Sequence, residues 1–169
     1  QTLLALGESG TPVLTEGPLA EDIVQAVQAA GGILTVEDLA THTPRERTPV
    51  VGHYRGWTVV TMPPPSSGGV VLLQVLAALE TGDLPPAQGA ALFHRLAEAM
   101  KHAYADRARY MGDPDRVDIP VDRLLSVERV SAIRDDFDPA KTFPAAHYGT
   151  PLDPGQDGGT QHISALDAN

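Results

Sequence analysis

Two β-rich runs, Pro49 to Tyr54 and Trp57 to Met62, flank Arg55-Gly56, and Pro63-Pro64-Pro65 follows directly. This pattern restricts the fold more than any other in the chain. Runs of this length around a short glycine-containing turn predict a β-hairpin. Proline cannot donate to a ladder, so the triple proline ends the second strand. Ser66 or Ser67 then suits the cap of a helix carrying Val70, Val71, Leu73, Val75 and Leu76, ending near Gly82. A hairpin feeding an apolar helix must bury that helix against something. The next helix, about Gln88 to Tyr110, offers Leu92, Leu96, Met100, Ala103 and Tyr104 as an apolar stripe.

The remaining segments extend this α/β reading. Leu3, Leu4 and Leu6 predict a first helix that stops at Gly7 and Gly10. Ala20 to Ala30 predicts a helix with Ile23, Val24 and Val27 on one face, acids Glu21 and Asp22 in its first turn, and Gly31-Gly32 as its stop. Thr35 caps a short helix, Val36 to Ala40, with Asp38 completing an imperfect capping box. A further helical stretch covers about Val121 to Arg134. Residues 137–159 then read as a long loop rich in proline and glycine, ahead of a strand from Thr160 to Leu166.

Composition excludes several function classes. The chain has 169 residues, a formal net charge of −10 and no cysteine. The charge argues against nucleic acid or an anionic membrane as partner, because both reward basic patches. Without cysteine there is neither a disulfide nor a thiolate nucleophile or metal ligand. The longest apolar run, Val70 to Leu79 with Gln74 inside it, is too short for the about 20 residues of a membrane span. No basic-plus-apolar leader precedes the first helix, so no signal peptide is expected, and the compartment stays open.

Gly158-Gly159-Thr160, delivered by a polar loop to the start of a strand, is where chemistry is expected. Cutting the Gly159–Thr160 bond would give Thr160 a free α-amine. Its pKa of about 8 suits a general base beside a weak hydroxyl nucleophile. Two preceding glycines permit the backbone geometry that intramolecular attack requires. The same residues also fit a plain flexible lead into a terminal strand.

Other clusters carry competing readings. Asp113, Asp115 and Asp118 lack the glycine and terminal glutamate of a calcium loop and read as a solvated turn. His94 and His102 lie about 80° apart around one helix, poor geometry for a shared metal. Glu98 and Asp106 read as solvated or salt-bridged groups, not a catalytic pair. His162 reads as a packing histidine. Ser66-Ser67-Gly68-Gly69 fits a capped helix start as well as an anion cradle. No motif for a metal or cofactor stands out.

Five segments in register resemble the γ-glutamyltranspeptidases. They are Ala30-Gly31-Gly32-Ile33-Leu34-Thr35-Val36-Glu37-Asp38-Leu39-Ala40; Tyr54-Arg55-Gly56-Trp57 with Met62-Pro63-Pro64-Pro65-Ser66-Ser67-Gly68-Gly69; Ala97-Glu98-Ala99 with Ala103-Tyr104-Ala105-Asp106-Arg107; Gly112-Asp113-Pro114; and Thr160-Gln161-His162-Ile163-Ser164 with Asp167. The likeness is weakest over 121–158. It implies a helix-rich fragment of an N-terminal-nucleophile hydrolase of αββα layering, with only a small residual sheet. It also implies one domain over 1–169, in which 137–159 leads to the processing site and 160–169 opens the small subunit.

Thr160 would then be the nucleophile twice, first on the Gly159 carbonyl and then on a small γ-glutamyl substrate such as glutathione. Gln161 departs from the family, where a second threonine is frequent. The resemblance also implies that the arginine gripping the substrate carboxylate and the oxyanion glycines come from outside these residues. The chain alone is therefore expected to be inactive as a truncated member, with Gly159–Thr160 uncut in most molecules. The alternative is a non-catalytic, structural module. A homo-oligomer is expected on either reading.

Overall fold

The computed structural model describes residues 1–80 and 89–149. They divide into two compact units, one over Gln1–Glu46 and one beginning at Arg47. In the first, α1 (Thr2–Ser9) runs through Gly7 and is followed by a 3₁₀ turn, Thr11–Leu14. Helix α2 (Pro18–Ala29) starts two residues earlier than its apolar pattern suggests. Pro18 occupies the first turn, where its missing N–H costs nothing. Ala20 and Val24 are its buried residues, and Val27 is left on the exposed side. Gly31, at φ 86°, turns the chain out of the helix, and the Gly32 amide donates to the Val27 carbonyl at 2.9 Å.

Helix α3 (Val36–Ala40) carries a complete capping box despite its aspartate. Thr35 Oγ1 accepts from the Asp38 amide at 3.1 Å, and Asp38 Oδ2 accepts from the Thr35 amide at 2.8 Å. The shorter acid reaches far enough to replace glutamate.

The second unit opens with the expected hairpin, β1 (Val50–Tyr54) antiparallel to β2 (Trp57–Thr61), with Val50 opposite Thr61 and Tyr54 opposite Trp57. Arg55 at φ 49° and Gly56 at φ 83° give the two positive dihedrals of the turn that matches strand twist. Val50, Gly52 and Tyr54 point inward, while Val51, Trp57 and Val60 are exposed.

Helix α4 (Gly68–Leu79) lies under this sheet at close range. A Cβ on Gly52 would stand 2.5 Å from Leu73 Cδ2, and one on Gly69 would stand 2.1 Å from the Met62 carbonyl oxygen. Two glycines thus set how near hairpin and helix can come. Neither serine caps α4 through its side chain, contrary to the sequence expectation. Ser67, at the cap position, has helical φ and ψ and turns its hydroxyl to Arg107, whose Nε donates to it at 2.9 Å.

Helix α5 (Ala90–Tyr110) packs on α4. Val75, Ala78, Leu79, Ala99, Ala103 and Ile133 form the core, with Tyr54, Val71 and Leu96 against it. The predicted stripe is rotated: Met100 and Tyr104 are exposed, and the buried face is Glu98, Ala99, His102, Ala103 and Asp106. Polar partners for those side chains outweighed their hydropathy.

The stretch predicted as one helix over 121–134 is two, α6 (Val121–Leu124) and α7 (Val127–Asp135). Ser126 is extended at the break, and its hydroxyl caps α7 by accepting from the Arg129 amide at 3.2 Å. The predicted 137–159 loop contains a short helix, α8 (Ala145–Tyr148), where the sequence shows no period. The expected terminal strand, 160–166, lies outside the described residues.

Candidate functional site

Gly159, Thr160 and His162 lie outside the described residues. What the structure shows is the docking of the segment that leads toward them. That segment, from Asp136 to Gly149, is held on α5 by buried polar side chains placed one turn apart.

Glu98 is 4% exposed and collects donors from two elements. Its Oε1 accepts from Lys101 Nζ at 2.6 Å and from Thr142 Oγ1 at 2.7 Å, and its Oε2 accepts from the Tyr148 hydroxyl. Lys101 also reaches Thr142 and lies 5.1 Å from the centre of the Tyr148 ring. Burial alone would push the Glu98 carboxyl up. The hydrogen bonds from Lys101, Thr142 and Tyr148, with the Lys101 charge, reverse this and hold it at about 2. The Glu98 hydrogen bond in turn raises the Lys101 ammonium, against the effect of burial.

One turn on, His102 Nε2 stands 3.0 Å from Asp136 Oδ2, and His147 Nε2 meets the same oxygen at 2.6 Å. His147 stacks on Phe143 with ring centres 4.1 Å apart, and the Phe143 amide donates to the Tyr148 hydroxyl at 3.0 Å. Burial pushes His102 below its ordinary value, although the Asp136 charge pulls the other way. One further turn on, Asp106 faces α7. Its Oδ2 accepts from Arg129 Nε at 2.7 Å and from Gln74 Nε2 at 2.7 Å, and its Oδ1 accepts from Arg129 Nη2 at 3.0 Å.

Glu98 is thus engaged by an ammonium and two hydroxyls, and Asp106 by a guanidinium and an amide. They are salt-bridged, as the sequence allowed, but buried, not solvated. His94 and His102 turn to different partners: His94 Nε2 is 3.7 Å from Glu98 Oε1 and its ring packs on Phe137. In the aspartate loop, Asp115 pairs with Arg47 at 2.9 Å and Asp113 Oδ1 accepts from the Asp115 amide. Among the described residues no group of three or more His, Cys, Asp or Glu could hold a metal. Sequence reasoning missed the roles of Lys101, Asp136, Thr142, His147 and Tyr148. The signal present was the polar set Glu98, His102 and Asp106 sharing a face with Ala99 and Ala103.

The whole chain, residues 1–169, matches the family profile for gamma-glutamyltranspeptidase. The chain belongs to the γ-glutamyltranspeptidase family. It is similar to the "Glutathione hydrolase proenzyme" of Escherichia coli strain K12, at 39% identity over 99% of the chain and 29% of that protein. Among solved structures, the Helicobacter pylori gamma-glutamyltranspeptidase superposes with a TM-score of 0.75 at 40% identity, covering 89% of this chain and 43% of that one. The cephalosporin acylase from Bacillus halodurans superposes with a TM-score of 0.69 at 31% identity, over 81% of this chain and 25% of that one. This chain therefore spans less than a third of the length of the E. coli relative. Its helix-rich architecture with one two-stranded sheet among the described residues is a part of the γ-glutamyltranspeptidase N-terminal-nucleophile hydrolase fold.

Proposed function

We propose that these residues carry the cleavage junction and nucleophile of a self-processing γ-glutamyl hydrolase or transferase. The supporting observation is the match over residues 1–169, which includes Gly158-Gly159-Thr160-Gln161-His162. Thr160 Oγ attacks the Gly159 carbonyl carbon and the C–N bond breaks, leaving an ester that water hydrolyses. The products are a Gly159 carboxylate and a free Thr160 amine. That amine, with a pKa of about 8, takes the hydroxyl proton in the second reaction. Thr160 Oγ then attacks the γ-glutamyl carbonyl, expels the leaving amine and passes the acyl group to water or an amino acid.

An oxyanion hole is needed for both steps, and losing a single donor costs about 10²–10³ in rate. The resemblance draws those donors from outside these residues, so the chain alone is proposed to be inactive with Gly159–Thr160 intact. The test is hydrolysis of γ-glutamyl-p-nitroanilide beside a Thr160→Ala control, with intact-mass spectrometry. Thr160-dependent turnover by this chain, or a dominant species ending at Gly159, would overturn the inactivity.

A second reading, a non-catalytic module forming homo-oligomers, draws on the hairpin's outer face. Val51 and Val60 sit opposite each other at 53% and 63% exposure. Apolar surface of this kind finds partners. Light scattering showing a monomer at high micromolar concentration would remove that reading.

A further inference from the structure

A cavity of about 720 Å³ opens between the C-terminal half of α5, α6, the start of α7 and the end of α8. Its walls include Asp106, Arg109, Tyr110, Arg123, Arg129 and Tyr148. The volume lies within the roughly 300–1,000 Å³ of small-molecule sites. We propose that this cavity binds a small dianion, a dicarboxylate or a phosphate.

The argument rests on charge that is left over. Asp106 is the acid among these wall residues, and Arg129 grips both its oxygens at 2.7 and 3.0 Å while Gln74 donates to one of them. That pair is neutral and saturated, so it neither satisfies other cations nor repels an anion strongly. Arg109 and Arg123 remain. Both lay their guanidinium groups against the ring of Tyr110, with carbons 5.2 and 4.6 Å from its centre. Two cations anchored on one ring lie within about 10 Å of each other, inside the screening length at 0.1 M salt, and repel.

The ring engages each guanidinium through its π face and leaves the N–H donors available. Among the described residues, neither arginine has an ion pair with a carboxylate. Such planar forks match the paired oxygens of carboxylate and phosphate, and one dianion between them would remove the repulsion. In a chain whose net charge is −10, this is a local excess of positive charge inside a concave site.

Isothermal titration calorimetry of the chain at low ionic strength, with sodium glutarate and separately with inorganic phosphate, tests the site. At least one probe is expected to bind saturably in the millimolar range or tighter, and the preferred probe identifies the source chemistry. Arg109→Ala and Arg123→Ala should each weaken binding about 10–100-fold, the range for charged hydrogen bonds. Both side chains are exposed, so folding should survive their removal. Arg55→Ala, on the hairpin, should bind as the parent does. The proposal is overturned if neither probe saturates, if the Arg109→Ala/Arg123→Ala double variant binds like the parent, or if Arg55→Ala weakens binding equally.

Discussion

Replacing Glu98 by glutamine keeps the volume of the side chain and removes its charge. The carboxyl is held at about 2 against an ordinary 4.5, a gap that corresponds to about 3 kcal/mol at 1.36 kcal/mol per pH unit. Glu98 is almost fully buried, so solvent does little to screen its contacts with Lys101, Thr142 and Tyr148. Glu98→Gln should therefore lower the unfolding free energy by up to about 3 kcal/mol at pH 7, a large share of the usual 5–15. The sign with pH follows from the direction of the shift. A depressed carboxylate contributes fully above its unfolded value and loses that contribution as pH falls toward its folded one. About 2 kcal/mol of the parent's advantage should be gone by pH 3. Urea unfolding of both proteins at pH 7, 5 and 3, followed by circular dichroism, gives the comparison. A deficit that stays constant across this range would refute the reasoning, since geometry rather than ionisation would then be its source.

Gly69→Ala places a Cβ 2.1 Å from the Met62 carbonyl, so hairpin and α4 must part; a loss of about 3 kcal/mol or more in chemical denaturation is expected. Arg129→Ala leaves Asp106 buried without its cation and should cost about 2–3 kcal/mol, while the Asp106→Asn/Arg129→Met pair should cost less than the two single changes together. His102 has a depressed value, so the unfolded chain takes up its proton first as pH falls. Stability should start to decline below about pH 6.5, and His102→Gln should flatten that limb in thermal melts read from pH 8 to 5.

The parts of the fold legible in the sequence were those set by local chemistry. Arg55-Gly56 fixed the hairpin because its dihedrals require such a turn, and Thr35 with Asp38 marked the start of α3. Three features were not legible because distant residues decide them. The buried face of α5 turned away from Met100 and Tyr104 once Arg129, Thr142 and Asp136 supplied partners for its polar residues. Ser67 left the cap for Arg107. Helix α8 is too short to show a period and is held by Tyr148 on Glu98 of α5 and by His147 on Asp136 at the end of α7. Of the candidate site, Gly158-Gly159-Thr160 stood out in the sequence as a place for the proposed nucleophile, with the family likeness favouring that reading over a plain lead into a strand, and the docking of the segment before it was not visible at all.

The buried line Glu98, His102, Asp106 has a consequence for how the second unit assembles. Apolar surfaces tolerate sliding, since one methyl group serves nearly as well as its neighbour. This line does not. Shifting α5 by one turn, about 5.4 Å, would bring Glu98 toward the partners of His102 and carry Asp106 away from Arg129. Each misplacement would strand a buried charge, at several kcal/mol apiece. The helix thus carries a combination that only one register opens, and near-miss packings are rejected by electrostatics before shape complementarity has to distinguish them.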